Sequence, residues 1–383
     1  MSSSQKENQN ITSFGCTSNG KESFCYTLRN SNGLEIAIID YGATIQSIKI
    51  PVTSAKKVDV VLGFDAVSGY EKSFSLSGVP FIGAVVGRYA GRIKNGTFKV
   101  NNEVFQLNKN LGAHHLHGGK SNFSNNFWNV ISFSNNSITL EYISKDLEEN
   151  YPGELSTQVT YSLSETDILA IDYTAKTTKD TIINLTQHSY FNLDGHENGI
   201  ENQELQVTSS EILETDEENV PTGIFSNIID TSFDFLTFKN CPTKIDTSFV
   251  ISDNSTSVAT LKSTKNKIQM KVFTNQPSVH IYVGGDCNTE VIGKNNVNYH
   301  ALSGICFETQ NFPDAPNQSH FPNAILRKNE TYHQKTSFTN CTRYTSGRYL
   351  ERRSSTKHLY FLHRFCLKIN GRCTSLFCRS KSQ

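Results

Sequence analysis

Alternation with a period of two dominates this chain and limits what it can fold into. Leu169, Ile171, Tyr173 and Ala175 alternate with polar or small residues, and Ile268, Met270 and Val272 alternate with Gln269 and Lys271. Such a period sends successive side chains to opposite faces of a strand, one for a core and one for another task. Two pairs of runs carry their own turn. Phe98 and Val100 are separated from Val104 by Asn101-Asn102, and Asn tolerates the positive φ that a two-residue hairpin needs. Ser134-Asn-Asn-Ser137 separates residues 127–133 from 138–142 in the same way. Further strand-like runs are 35–40, 44–50, 59–62, 157–163, 181–193, 204–207, 279–283 and 304–310. No amphipathic helix longer than three turns and no internal repeat interrupts them. The expected fold is all-β, a large antiparallel sandwich or barrel.

The 383 residues carry 36 Lys+Arg against 36 Asp+Glu, and this balance argues against a nucleic-acid binder, which normally shows a basic footprint. No apolar run of about 18 residues occurs, so no membrane span is expected. The opening MSSSQKENQNITS lacks the apolar stretch of a secretory signal. Nine scattered cysteines without a CxxC pair are therefore expected as reduced thiols of a cytoplasmic protein. Three segments are expected: a flexible N-terminus over 1–12, a single domain over 13–343, and a basic extension over 344–383. From Arg343 onward the composition shifts to ten Lys/Arg against one acid, Glu351, with three cysteines. Contact with RNA or an anionic membrane is one use for such a tail; disorder is the reading adopted.

Four segments carry residues suited to chemistry. Leu111-Gly-Ala-His114-His115-Leu-His117-Gly-Gly119 places three histidines before a glycine pair. His115 and His117 could offer two imidazoles to one metal, but no carboxylate follows closely. The alternatives are histidines that cap a turn, or one histidine pressed against a substrate. In 184–195, strand register gives His188 a face shared with Asn184, Thr186, Tyr190 and Asn192. That row suits the hydroxyls and C–H face of a sugar, or else forms a satisfied polar network. In 304–317, Ile305, Phe307 and Thr309 take one face and Cys306, Glu308 and Gln310 the other. A Glu in an apolar strand needs a task or a partner: a base, or a salt bridge. Finally, Arg88 and Arg92 lie four apart among small residues, able to fork onto paired oxygens or to form surface ion pairs.

In this order the four segments resemble the aldose 1-epimerase family, the galactose mutarotases. The resemblance runs from about Phe24 to Phe338 and includes SNGLEIAIIDYGATIQSIKIP, ETDEENVPTG, TQNFPDAPNQ and FPNAILRKNETYHQKTSF. It implies one large galactose mutarotase-like β-sandwich with an open sugar cleft on one sheet. Carried over by position, it implies Glu308 as base, His188 as acid and His117 as a second histidine at the reacting end. It implies Arg92, Asp246, His280 and Gly91 as substrate-binding. Three departures stand out: Gly91 where many members carry Asn, His280 where many carry Gln, and Thr-Ser rather than His-Asn after Asp246.

The implied reaction is interconversion of α and β anomers of a free aldohexose by opening and closing the hemiacetal. It needs one base and one acid and no metal or cofactor, which fits Glu308 and His188. The expected partner is a small aldose, with no nucleic acid and no membrane, and the protein is expected to be a monomer. Three rivals remain. A glycoside hydrolase would pair Glu308 with Asp314. A hexose-phosphate epimerase would collect Arg88, Arg92 and Lys94 around a phosphate. A silent sugar-binding protein would keep the cleft without the matched acid and base.

Overall fold

A computed structural model describes residues 10–342, except 77 and 286–289. The basic extension 344–383 and most of the segment 1–12 lie outside the described residues, and the first strand, Ile11–Cys16, already begins within the latter. Among the described residues the chain is built from antiparallel strands with one short α-helix, Val67–Ser73, and several 3-10 turns.

Three sheets dominate. A five-stranded meander takes the chain in sequence order from Ile11–Cys16 to Lys57–Asp59. A nine-stranded sheet centres on Ile168–Thr177 and Tyr332–Thr342. A six-stranded sheet runs, from edge to edge, through Tyr190–Phe191, Ile305–Gln310, Ser278–Val283, Ile245–Val250, Glu211–Thr215 and Pro221–Asn227. The expected all-β, antiparallel architecture is present. Asn101 (φ 51°) and Asn102 (φ 67°) both take the left-handed conformation and join Thr97–Val100 to Glu103–Gln106 as a hairpin.

Alternation becomes a core directly. Along Leu155–Leu163 every second residue is buried, and Ile168–Thr177 pairs with it in continuous register. The inward set, including Val159, Tyr161, Ile171 and Tyr173, shares one apolar cluster with Val279, Ile281, Ile305 and Phe307 of the six-stranded sheet. Phe191 bridges the layers, its ring centroid 5.0 Å from Phe338 and 6.1 Å from Phe307. Each such buried side chain contributes about 1.5–3 kcal/mol, so the inward row of Ile305–Gln310 holds that strand in place. Its other row, Cys306, Glu308 and Gln310, is thereby turned away from the core, yet all six residues are buried. Glu308 and Gln310 of that second row line a cleft, while Cys306 packs into a second apolar cluster beside it.

The run 181–193 is not one strand. It breaks into Thr181–Ile182, Thr186–Gln187 and Tyr190–Phe191, which pair with three different partners. Asn184 donates to the carbonyls of Ala90 and Asn311, Thr186 to that of Thr309, and Asn192 to those of Asn198 and Ser303. These residues form the buried polar network, and of the supposed polar row only His188 lines the cleft.

Candidate active site

The cleft opens on the face of the six-stranded sheet that points away from the core. Three adjacent strands supply its floor through two cross-strand rows. Asp246, Tyr282 and Cys306 stand in register in one, and Ser248, His280 and Glu308 in the other. Loops complete the walls with Phe81, Gly91, Arg92, His117, His188 and Pro313. All seven residues singled out from the sequence (Glu308, His188, His117, Arg92, Asp246, His280 and Gly91) line this one cleft.

His117 owes its direction to the backbone. His115 and Leu116 form a two-residue strand against Arg92 and Ile93. If that strand continued, His115 and His117 would share a face, as a metal-binding HxH pair requires. Instead His117 takes φ 50°, and Gly118 and Gly119 follow at 84° and 97°, which turns the chain sharply. His115 stays in the interior, with Nε2 2.7 Å from the Tyr151 hydroxyl and Nδ1 2.5 Å from the Asn108 carbonyl oxygen. The Nδ1 of His114 accepts from the Asn95 N–H at 3.1 Å. The three histidines therefore go three ways, and only His117 reaches the cleft. The turn depends on Gly118, where a Cβ would overlap the Gly87 carbonyl oxygen. Gly118→Ala is expected to cost about 3 kcal/mol or more, whereas Gly112→Ala, also at positive φ but with open space around it, costs about 1 kcal/mol. Thermal melts of both variants check this; equal losses would remove the clash from the argument.

His117 also has its tautomer assigned by a partner that can only donate. The Gly91 N–H points at its Nδ1 at 3.2 Å, so Nδ1 accepts and the ring proton resides on Nε2. Burial, followed by the positive neighbours His188, Arg92 and His280, pushes the His117 pKa well below its usual value. His117 is thus a neutral donor. Its ligand atom lies within 4.8 Å of those of His188 and Glu308, the one such grouping of potential metal ligands among the described residues. Ligation through Nε2 would move the proton to Nδ1, against the Gly91 N–H, so the site fits an oxygen-bearing ligand better than a metal ion.

His188 is carried on the stretch between Thr186–Gln187 and Tyr190–Phe191, its main chain bonded to Ala84 and Gly83. Its Nε2 lies 3.5 Å from Glu308 Oε1, and its Nδ1 3.6 Å from Cys306 Sγ. Phe81 packs beside both imidazoles, at 4.9 Å from His117 and 5.9 Å from His188. Glu308 is 2% exposed, and its second oxygen, Oε2, has no hydrogen-bond partner among the described residues. Two more buried polar atoms on the cleft wall are in the same condition: Gln310 Oε1 and Arg92 Nε. Unmatched polar atoms are rare in folded interiors, and three around one hollow mark the place of a polar ligand. Tyr282 and Phe81 supply an apolar wall.

Asp246 sits between two cations. Its Oδ1 accepts from His280 Nε2 at 2.9 Å, and its Oδ2 lies 3.4 Å from Arg92. Burial would raise its carboxyl, but the His280 hydrogen bond and the His280 and Arg92 charges overcome this and hold it well below the usual range. A Cβ on Gly91 would come within 2.9 Å of the Pro313 ring, so Pro313 fills the space beside that glycine.

Asp314 is elsewhere. Its Oδ1 accepts from the Lys94 N–H and the Asn317 amide, and it does not line the cleft. Nor does Arg88, whose guanidinium is buried against the carbonyls of Ser144, Lys145, Pro152 and Gly153. Lys94 faces Asp216 at 3.9 Å, leaving Arg92 as the one Lys or Arg on the cleft wall among the described residues. Phe81 and Tyr282 were not singled out from the sequence, and Ser248 was noted only within the Thr-Ser departure after Asp246. Tyr282 was within reach, two residues from His280 on one face of a strand. Phe81 lies in an aperiodic loop, and Ser248 becomes visible only through sheet register.

Comparison with known proteins agrees with this architecture. The aldose 1-epimerase family profile matches residues 25–339. The galactose mutarotase of Homo sapiens is 35% identical over 323 residues, covering 80% of this chain and 91% of that protein. The aldose 1-epimerase of Escherichia coli K12 is 29% identical over 329 residues, covering 82% and 93%. Among solved structures, an aldose epimerase homologue from C. elegans superposes with a TM-score of 0.78 at 28% identity, covering 84% of this chain and 99% of its own. A galactose 1-epimerase from Lactobacillus acidophilus gives 0.74 at 27%, covering 86% and 98%.

Proposed function

The chain belongs to the aldose 1-epimerase family, and from that premise we infer that its cleft interconverts the α and β anomers of free aldohexoses such as galactose and glucose, with Glu308 as base and His188 as acid. Glu308 takes the proton of the C1 hydroxyl while His188, as imidazolium, delivers one to the ring oxygen. The C1–O5 bond breaks and an aldehyde forms. Rotation about C1–C2 presents the other carbonyl face, and closure runs the same transfers backwards. His188 then accepts the C5 hydroxyl proton as O5 attacks, and Glu308 returns its proton to the new C1 oxygen. Both groups end as they began, and every step is a proton transfer or a bond rotation, so the chemistry asks nothing of a metal or redox cofactor.

The observation that carries this reading is a carboxylate with a free oxygen and an imidazole 3.5 Å from it, facing one hollow lined by further unmatched polar atoms. His117 donates its Nε2 proton as a hydrogen bond to a reacting oxygen. Arg92, Asp246 and His280 bind hydroxyls, with Gly91 beside them on the cleft wall. We take residues 13–343 as the catalytic unit, acting as a cytoplasmic monomer on a freely diffusing sugar. No helix among the described residues is long and apolar enough to cross a membrane.

The Glu308–Asp314 pair of a glycoside hydrolase is disfavoured because Asp314 lies outside the cleft, and the other carboxylate on its wall, Asp246, is engaged by His280 and Arg92. A phosphate site is disfavoured because Arg92 already pairs with Asp246 and neither Arg88 nor Lys94 joins it. Polarimetry tests the reading directly. Fresh α-D-galactose or α-D-glucose is expected to lose excess rotation faster with the protein than without it. A sugar phosphate is expected to relax at its spontaneous rate, and a methyl glycoside not at all. Spontaneous decay of both free sugars would overturn the assignment.

A further inference from the structure

His280 lies between two carboxylates and one hydroxyl. On one side it stands in register with Ser248, and its Nδ1 is 2.8 Å from Ser248 Oγ. On the other it stands in register with Glu308. Its Nε2 meets Asp246 Oδ1 at 2.9 Å. We propose that Ser248 and His280 together hold a switchable positive charge beside the base, which keeps the enzyme working as the pH falls. Ser248 acts here as a positioning residue. The proposal rests on Glu308 being the base, and it adds two groups to that assignment.

The hydrogen bonds explain how the charge can change without movement. The Asp246 carboxylate only accepts, so Nε2 of His280 carries a proton in both states. Nδ1 faces a hydroxyl, which can play either part. When His280 is neutral, the Ser248 O–H donates to bare Nδ1; when His280 is charged, Nδ1–H donates to Ser248 Oγ. Nδ1 keeps its partner in both states, so the imidazole titrates in place.

The surroundings favour the charged state. Asp246 faces the ring from one neighbouring strand and Glu308 from the other, and the fixed cation Arg92 stands over Asp246. His117 and His188 face the same hollow from the loops, and His117 is neutral by its tautomer. Burial opposes the imidazolium, but the Asp246 hydrogen bond and then the Asp246 and Glu308 charges outweigh it, against Arg92, and raise the His280 pKa above its ordinary value. With a raised pKa, His280 is charged on the acid side and loses its charge as the pH climbs. The cation is therefore present on the acid side, where a carboxylate base gains most from a positive neighbour.

The test is the pH profile of kcat/KM for galactose in the wild type, His280→Gln and Ser248→Ala. The variant-to-wild-type ratio for His280→Gln is expected to be about three- to tenfold lower near pH 5 than near pH 8, as one unit charge removed a few ångströms from the base would produce. Ser248→Ala is expected to shift the ratio in the same direction by about twofold, because a buried imidazolium loses its acceptor. Damage to folding or to sugar binding alone would lower the rate by one factor at all pH values. A ratio that is flat, or that rises toward acid, in both variants overturns the proposal. Glu308→Gln run alongside separates the two ideas: a fully active Glu308→Gln would instead remove the base assignment itself.

Discussion

Glu308→Gln is expected to lower kcat for anomer interconversion by about 10²–10⁴-fold, the range that a positioned proton-transfer group supplies. The substitution keeps the shape of the side chain and removes only its ability to take a proton. It is also structurally mild. The strand Ile305–Gln310 is held from the other side by Ile305 and Phe307 in the core and by Thr309, whose hydroxyl lies 2.5 Å from that of Thr336. Glu308 Oε2 makes no hydrogen bond that Gln would lose, and the contact to His188 is long at 3.5 Å. A melting temperature close to wild type, together with slow polarimetric decay, would place the loss in the chemistry. Activity within about threefold of wild type would end the role of Glu308 as base.

The fold was legible because its signals are local. A strand such as Leu155–Leu163 declares its two faces in nine residues, and the Asn101-Asn102 turn declares its backbone conformation in two. The two faces of Ile305–Gln310 follow from the same alternation, which sets Glu308 opposite Ile305 and Phe307. Legibility failed where a residue's partner is remote. In 181–193 the spacing of Asn184, Thr186 and Asn192 matched a strand, but each bonds to a carbonyl contributed by a distant loop or strand, and these bonds break the strand into pieces. At His117 one positive φ separated two histidines that spacing alone had put on the same side. Ser248 stood out only as part of the Thr-Ser after Asp246, and nothing local pointed to His280: their contact arises from the register of two strands, across 32 positions in sequence. Two of the sequence's departures from its family pattern, His280 and the Thr-Ser after Asp246, prove to be in contact through that serine.

The two cleft imidazoles are expected to respond differently to the same substitution. His188→Gln is expected to lower kcat by about 10²–10⁴-fold, while His117→Gln costs about tenfold or less. A glutamine amide can donate a hydrogen bond near the position of an imidazole Nε2, but it cannot release the proton. His117, with Nδ1 occupied by the Gly91 N–H and its charged form disfavoured by burial and three positive neighbours, never has a second proton to give. A neutral donor therefore replaces most of its function. His188 is in the opposite position. Its Nε2 faces the carboxylate that must exchange protons through the substrate, and among the described residues no backbone donor occupies its Nδ1, which lies 3.6 Å from the Cys306 sulfur. That arrangement leaves both ring nitrogens able to carry protons, as an acid requires. The pH profile adds a second reading. The alkaline limb of kcat is expected to survive in His117→Gln, because the neutral His117 has no second proton to lose. If both variants fell by the same factor, or if His117→Gln abolished the alkaline limb, the proton to the ring oxygen would have to come from His117 or from the two imidazoles jointly.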